Sequence, residues 1–271
     1  MPVKKVIIYL VIILLIVEII FAFPFFKNLE YKAQDMLFRM RGKLPVSDKI
    51  VIIGIDDATF SALNETWPFP RDYHSKLIEN LNKAGAKQII FDIEFTEKTL
   101  PESDLRLAET ANKYQNVIFA GKVLTSQRPG EPSQIIPPIS PITEYNLPWG
   151  IVNMEADPDG FIRKYTLFEN FDQTKLYSIG IASLANLRVY QNNWAEHIKV
   201  NSKALHLTDK SIPLADKNKA IINFRGPAGT YPAFSYASIL DDSTFFMPGY
   251  QGAELDEFYE IRDSGVLKDK I

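Results

Sequence analysis

The stretch Lys49-Ile-Val-Ile-Ile-Gly-Ile-Asp-Asp57 decides the fold class. It is rich in β-branched residues, carries no polar side chain from Ile50 to Ile55 and ends in two acids, the pattern of a strand buried in a parallel sheet. Working outward, Asp72 is placed to cap a helix with the apolar stripe Leu77, Ile78, Leu81 and Ala84, and Gly85 is placed to end it. QIIFDIEF, residues 88–95, repeats the buried-strand pattern, with Asp92 near its carboxyl end. Ser103 can cap a second helix running through Leu105, Ala108, Ala111 and Tyr114, and NVIFAGKVL, residues 116–124, reads as a third strand. Strand, helix, strand, helix, strand at these lengths predicts parallel βαβ units with right-handed crossovers. The expected fold is therefore α/β, a mostly parallel sheet flanked by helices.

Beyond that core the chain changes character. Residues 126–150 carry six prolines, yet Ile135, Ile136, Ile139, Ile142 and Leu147 are too many large aliphatics for a disordered linker, so an ordered loop over the body is expected. A β-rich second half follows. IVNME and FIRKYTLF read as short strands around the turn Asp157-Pro-Asp-Gly160, and YSIGIASLANLRVY as a buried helix. HIKV, ALHL, SIP and AIINF read as further short strands. Gly265 to Ile271 reads as the approach to one more strand, so the domain is expected to be cut short at its C-terminal end.

With 271 residues, 46% of them hydrophobic, the chain can bury a sizeable core. Its net charge of −3 leaves no basic footprint, and nucleic acid is not an expected partner. The absence of cysteine excludes thiol catalysis and disulfides. At the N-terminus, Lys4 and Lys5 precede a run from Val6 to Phe23 interrupted only by Glu18. It predicts an uncleaved transmembrane anchor over residues 1–28, with the body at 29–271. Lys27, Lys32, Arg39, Arg41 and Lys43 follow the run, and the positive-inside count alone would keep the body in the cytoplasm. Leu29 to Arg41 reads as a helix continuing outward, with Ala33, Met36, Leu37 and Met40 at helical spacing. A single anchor with such a helix, and a Glu18 better placed against a partner than against lipid, predicts a homodimer.

Several residues could carry chemistry. Asp56, Asp57 and Asp92 sit where open α/β sheets bind ligands and could hold a magnesium or calcium ion. Equally, Asp57 can cap a helix beginning at Ala58 while Asp56 satisfies loop amides. Arg71 can pair with one of these strand-end acids or with an anionic ligand. Trp67, Pro68 and Pro70 read as a rigid hydrophobic corner, and His74, with no nucleophile in register, as structural. Asp159 and Gly160 lack the rest of a calcium loop and read as a turn. Arg225, Gly226 and Pro227 lack the lysine and hydroxyl of a phosphate loop and read as a turn at the sheet edge. No complete catalytic set is present and no cofactor is expected.

The order of these motifs is more informative than any one of them. Asp35, Arg39 and Arg41-Gly42 are followed by VIIGIDD, WPFPR with His74, and AGAKQIIFDIEF; then come GIVN, DPDGFIRK, and NFRGPAGTYP with Ser235. Over about Leu29 to Ile271 the chain resembles the type-2 CHASE domain, an extracellular sensory module of bacterial cyclases, histidine kinases and serine/threonine kinases. The resemblance implies an inner-membrane protein with an extracytoplasmic body, a small-molecule or periplasmic stimulus and a cytoplasmic output domain, foremost an adenylate or guanylate cyclase. It implies that this segment is not itself an enzyme. The competing reading of the residues alone is an exported metal-dependent hydrolase using Asp56, Asp57 and Asp92.

Overall fold

The computed structural model of the chain describes residues 3–21, 24–124, 133–171, 174–189, 194–208, 210–245, 247–249 and 256–271. Residues 126–132 of the expected proline-rich loop, and 252–255, lie outside them. Two helices open the chain, α1 (Val3–Phe21) and α2 (Pro24–Arg41). Proline at the first position of α2 suits a helix start, where its missing N–H is not needed. The expected membrane span is not found: no helix among the described residues is long and apolar enough to cross a membrane. The nineteen residues of α1 include the charges of Lys4, Lys5 and Glu18.

The first half then runs β1 (Ile52–Gly54), α3 (Asp57–Leu63), α4 (Arg71–Lys83), β2 (Ile89–Glu94), α5 (Pro101–Tyr114), β3 (Val117–Leu124), β4 (Gln134–Ile136), α6 (Ser140–Glu144) and β5 (Trp149–Ile151). β3 is the centre of its sheet, with β2 and β5 parallel on either side and β4 antiparallel along its far end. The β2–α5–β3 unit is the parallel crossover that the sequence predicts. Gly85, at φ 82°, ends α4, and the Ala86 N–H reaches back to the Leu81 carbonyl at 3.0 Å.

The second half holds β6 (Lys164–Thr166), β7 (Phe168–Phe171), β8 (Thr174–Tyr177), α7 (Ile179–Val189), β9 (Ile198–Val200), β10 (Ala204–Leu207), β11 (Lys210–Pro213) and β12 (Lys219–Ile221). Its pairings are antiparallel: β7 with β8, β12 with β6, and β10 between β9 and β11. The chain then returns to the first half. β13 (Ala233–Ser235) pairs in parallel with β1, Ile52 opposite Ala233, and leads into α8 (Tyr236–Leu240) and later α9 (Glu257–Asp263).

One apolar cluster joins α3, α4, α5 and α8 to the first-half strands through Leu63, Ile78, Leu107, Phe119 and Tyr236. A second, built on Phe168, Ile181, Leu205 and Leu207, fills the β-rich half. The halves meet where β5 lies on the start of α7. A Cβ at Gly150 would stand 2.6 Å from the Ile179 backbone, so only glycine fits this approach.

Two expectations about the sheet need correction. The stretch around β1 is not a fully buried strand beside β2; it pairs with β13, and Ile52 remains 48% exposed. The fold is mixed α/β with several small sheets, because β1 and β2 are held apart and the second half pairs locally and antiparallel. β2 likewise alternates between buried and exposed residues instead of being buried on both faces.

Candidate functional site

The residues singled out from the sequence fall into two separate places. At the carboxyl end of β1, Asp56 is the N-cap of α3. One of its carboxylate oxygens accepts the Thr59 N–H at 2.9 Å, the Thr59 hydroxyl at 2.8 Å and the Ser235 hydroxyl at 2.8 Å. Burial opposes its ionised form, but these bonds outweigh that and lower its pKa. The cap is thus one residue earlier than expected, and Asp57 is simply the exposed first residue of the helix. Asp92 is exposed on β2, beside the space separating β1 from β2.

Arg71 pairs with none of these three acids. Its Nε donates to Asp104 Oδ1 at 3.3 Å, its Nη2 to the Glu97 carbonyl at 2.9 Å, and its guanidinium lies 4.6 Å from the Phe95 ring centre. Asp104 also accepts the Thr99 N–H and hydroxyl, each at 2.8 Å. Asp72 does not cap α4, which begins after Pro70; it accepts from Ser103 and Arg106 of α5 instead. Among the described residues no group of three or more His, Cys, Asp or Glu is arranged to hold a metal ion.

The corner packs through a different ring than expected. Trp67, joined to Pro68 by a cis peptide, is 47% exposed, whereas Phe69 is 2% exposed and lies between Trp67, Phe60 and Tyr236. His74 is wholly buried, with Nδ1 2.9 Å from the Tyr236 hydroxyl and Phe91 and Phe95 edge-on to its ring. Burial, with help from the nearby Arg71 charge, pushes its pKa down to about 3. A neutral imidazole inside an aromatic cage is a packing group, not a proton carrier near neutral pH.

The second place gathers Asp159 and Gly160, expected as a turn, around Arg163, whose role as a hub was not singled out from the sequence. The Asp157–Gly160 turn is closed by the Gly160 N–H on the Asp157 carbonyl at 2.8 Å, with Gly160 at φ 84°. It delivers Arg163 to the start of β6, where the Ile222 N–H fixes the Arg163 carbonyl at 2.9 Å. The guanidinium then binds Asp35 of α2 through Nε and Nη2 at 2.9 and 2.8 Å. It binds Asp159 through Nη1 and Nη2 at 2.9 and 2.8 Å, and Asp157 through Nη1 at 3.0 Å. These bonds occupy all its N–H donors. Tyr31 and Phe161 lie over the same group at 4.7 and 5.3 Å. Hydrogen bonding to Asp35, then to Asp159, raises the Arg163 pKa, and the same bonds lower those of Asp35 and Asp159.

A few residues further along α2, Arg41 donates to the Asn223 side chain at 2.7 Å and to the Phe224 carbonyl, while Phe38 meets Phe224 edge-on. The Leu44 N–H then bonds the Arg225 carbonyl at 2.8 Å, so the Arg225–Pro227 turn receives the chain leaving α2. α2 is therefore bolted to the second half on one side. On its other side Leu29, Ala33, Met36, Leu37 and Met40 are exposed as one apolar stripe. The clue to Arg163 was an arginine four residues after Asp159, but nothing local in sequence ties it to Asp35, 128 residues away.

A protein-family model described as the CHASE2 domain matches residues 8–271. No curated protein and no solved structure matches the chain.

Proposed function

The chain belongs to the CHASE2 family of extracellular sensory domains, and from that premise we propose that it is an extracytoplasmic input module whose moving part is α2. The supporting observation is the two-sided use of that helix. One side is held by Arg163 and Arg41, and the other presents an unfilled apolar stripe. A stimulus that favours one of two placements of α2 passes a signal along it, provided its affinity differs between those placements. The stripe is taken by a second copy in a parallel homodimer. The output partner is a cyclase, as the family resemblance implies, with a kinase as the alternative. The hydrolase reading gains no support, since Asp56, Asp57 and Asp92 each stand in a different setting.

Cysteines placed singly at Ala33, Met36, Leu37 and Met40, and at Lys32 and Arg39 as controls, test the reading in intact cells. A membrane-impermeant bis-maleimide is expected to link the stripe positions into dimers and to spare the controls. Linkage only after lysis would place the body inside. Equal linkage at all positions, or none, would remove the dimer.

A further inference from the structure

Where the two halves of the molecule meet, a cavity of about 280 Å³ opens beside the seam between β5 and β8. Ile151 and Ser178 form a parallel bridge there, which brings Trp149 level with Leu176 by the same step back along each strand. Leu147, Pro148 and Trp149 line the cavity from the first half, and Lys175, Leu176 and Tyr177 from the second. Neither half could form it alone.

Its walls are fixed by packing. The Trp149 indole lies against Gly121, where a Cβ would stand 2.7 Å from the nearest ring carbon, and its backbone pairs with Phe119 of β3. Tyr177 is 8% exposed and sits opposite Phe168, their rings 6.4 Å apart. The Leu147 N–H bonds to the Ile142 carbonyl at 3.2 Å and so holds the chain leaving α6. A wall already in place spares a ligand the cost of ordering it. The polar groups are one-sided. They are the Lys175 ammonium, the Asn146 carboxamide and the Thr143 hydroxyl, and among the described residues no acid lines the cavity. The Thr143 hydroxyl is engaged with the Ser140 carbonyl at 3.1 Å. Lys175 is exposed, its ammonium 6.0 Å from the Phe168 ring centre, with no salt bridge among the described residues. Asn146 is exposed at φ 52°, and its carboxamide takes no hydrogen bond among the described residues.

We propose that this cavity binds a small aromatic carboxylate, its ring against Trp149 and Tyr177 and its carboxylate at Lys175 and Asn146. An ammonium and an amide N–H give the charge-assisted bonds that a carboxylate needs, and the aromatic side chains offer faces and edges to a flat ring. The volume, just under the usual lower bound of about 300 Å³ for ligand sites, suits a single ring and leaves no room for a nucleotide or a peptide. Because both halves supply walls, an occupant touches the first-half sheet and the β-rich half at once. That occupancy is the stimulus rests on the input-module reading, whereas binding itself does not.

The test follows the indole N–H resonance of Trp149 in the isotope-labelled 271-residue chain, in detergent, as benzoate, benzylamine or propionate is added. Trp67, which does not line the cavity, is the internal control. Benzoate is expected to move the Trp149 signal saturably and to leave that of Trp67 in place. Benzylamine, of opposite charge, and propionate, without the ring, should bind about tenfold more weakly or worse. Lys175→Met should weaken benzoate binding by about tenfold at an unchanged melting temperature, and Lys175→Arg should keep most of it. No shift, a shift that does not saturate, equal shifts with all three probes, or full benzoate affinity in Lys175→Met would overturn the site. Saturable benzoate binding that leaves cysteine linkage along α2 unchanged would support the site and remove its tie to signalling through α2.

Discussion

Arg71 and Arg163 are both almost inaccessible, 5% and 4% exposed, yet their surroundings act on them in opposite directions. Arg71 has one carboxylate and a carbonyl, deep among aromatic rings, and burial lowers its pKa. Arg163 has three carboxylates just beneath the surface, and hydrogen bonding raises its pKa. The first is a pin, tying the start of α4 to α5 inside one core. The second is a clasp, holding together segments far apart in the chain, one of which is an otherwise exposed helix. The difference teaches that a buried arginine is not one kind of device. What matters is whether its partners belong to the same packed unit.

The largest effect expected is at the pin. Asp104→Ala leaves Arg71 buried without its counter-charge and Thr99 without its acceptor, and should cost about 3–5 kcal/mol in denaturant unfolding. Arg71→Met in the same background should recover part of that loss. A loss under about 1 kcal/mol for Asp104→Ala would erase the contrast between the two arginines.

Next comes the pH dependence of the same core, through His74 beside Arg71. Its folded pKa lies near 3, below the unfolded value near 6.5, so the unfolded chain binds the extra proton between those limits. Its contribution is therefore complete above pH 6.5 and is lost as pH falls toward 3, with a slope of up to about 1.4 kcal/mol per pH unit. Asp242 adds its own acid loss lower down. Burial works against its charge, but bonds from Lys76 and Thr244 lower its pKa to about 2. Between pH 4 and 6 the loss of stability with falling pH belongs to His74, opposed by Asp241 and Glu169, whose pKa values burial raises, and His74→Gln should flatten or reverse the slope. An unchanged slope in that variant would mean another group titrates there.

The smallest effect on unfolding, and the sharpest test of the clasp, is Arg163→Met. The cores stay intact, so the denaturation midpoint should move less than for Asp104→Ala. Trypsin cleavage after the exposed Lys32 and Arg39 should rise by on the order of tenfold as α2 comes free. Asp35→Asn should give a weaker version of the same release. Unchanged cleavage in Arg163→Met would show that Arg41 and Phe38 hold α2 alone.

What the sequence made legible followed from local chemistry. The β2–α5–β3 unit, the Gly85 helix end, the Asp157–Gly160 turn and the apolar stripe of α2 are each written in a few consecutive residues. The burial of the β1 segment was misread, because a β-branched run shows what a strand can bury and not whether a neighbour is there to bury it. The corner was misread for a related reason: Trp67 and Phe69 are equally apolar on paper, and only packing turns one inward. The Arg71 partner was sought among strand-end acids and found at Asp104, on a helix whose placement no spacing rule fixes. Arg163 was invisible as a hub because its partners are spread over α2 and the turn.

The missing side chain at Gly150 has a mechanical meaning. With the Ile179 backbone pressed against β5, the two halves share a seam that leaves no thickness for slippage. Neither can advance by a residue along the other without first separating. The clasp sits on the β-rich half, and this seam joins that half to the sheet as a weld and not a hinge. Any methyl group introduced at Gly150 would put slack into that joint before it disturbed either core.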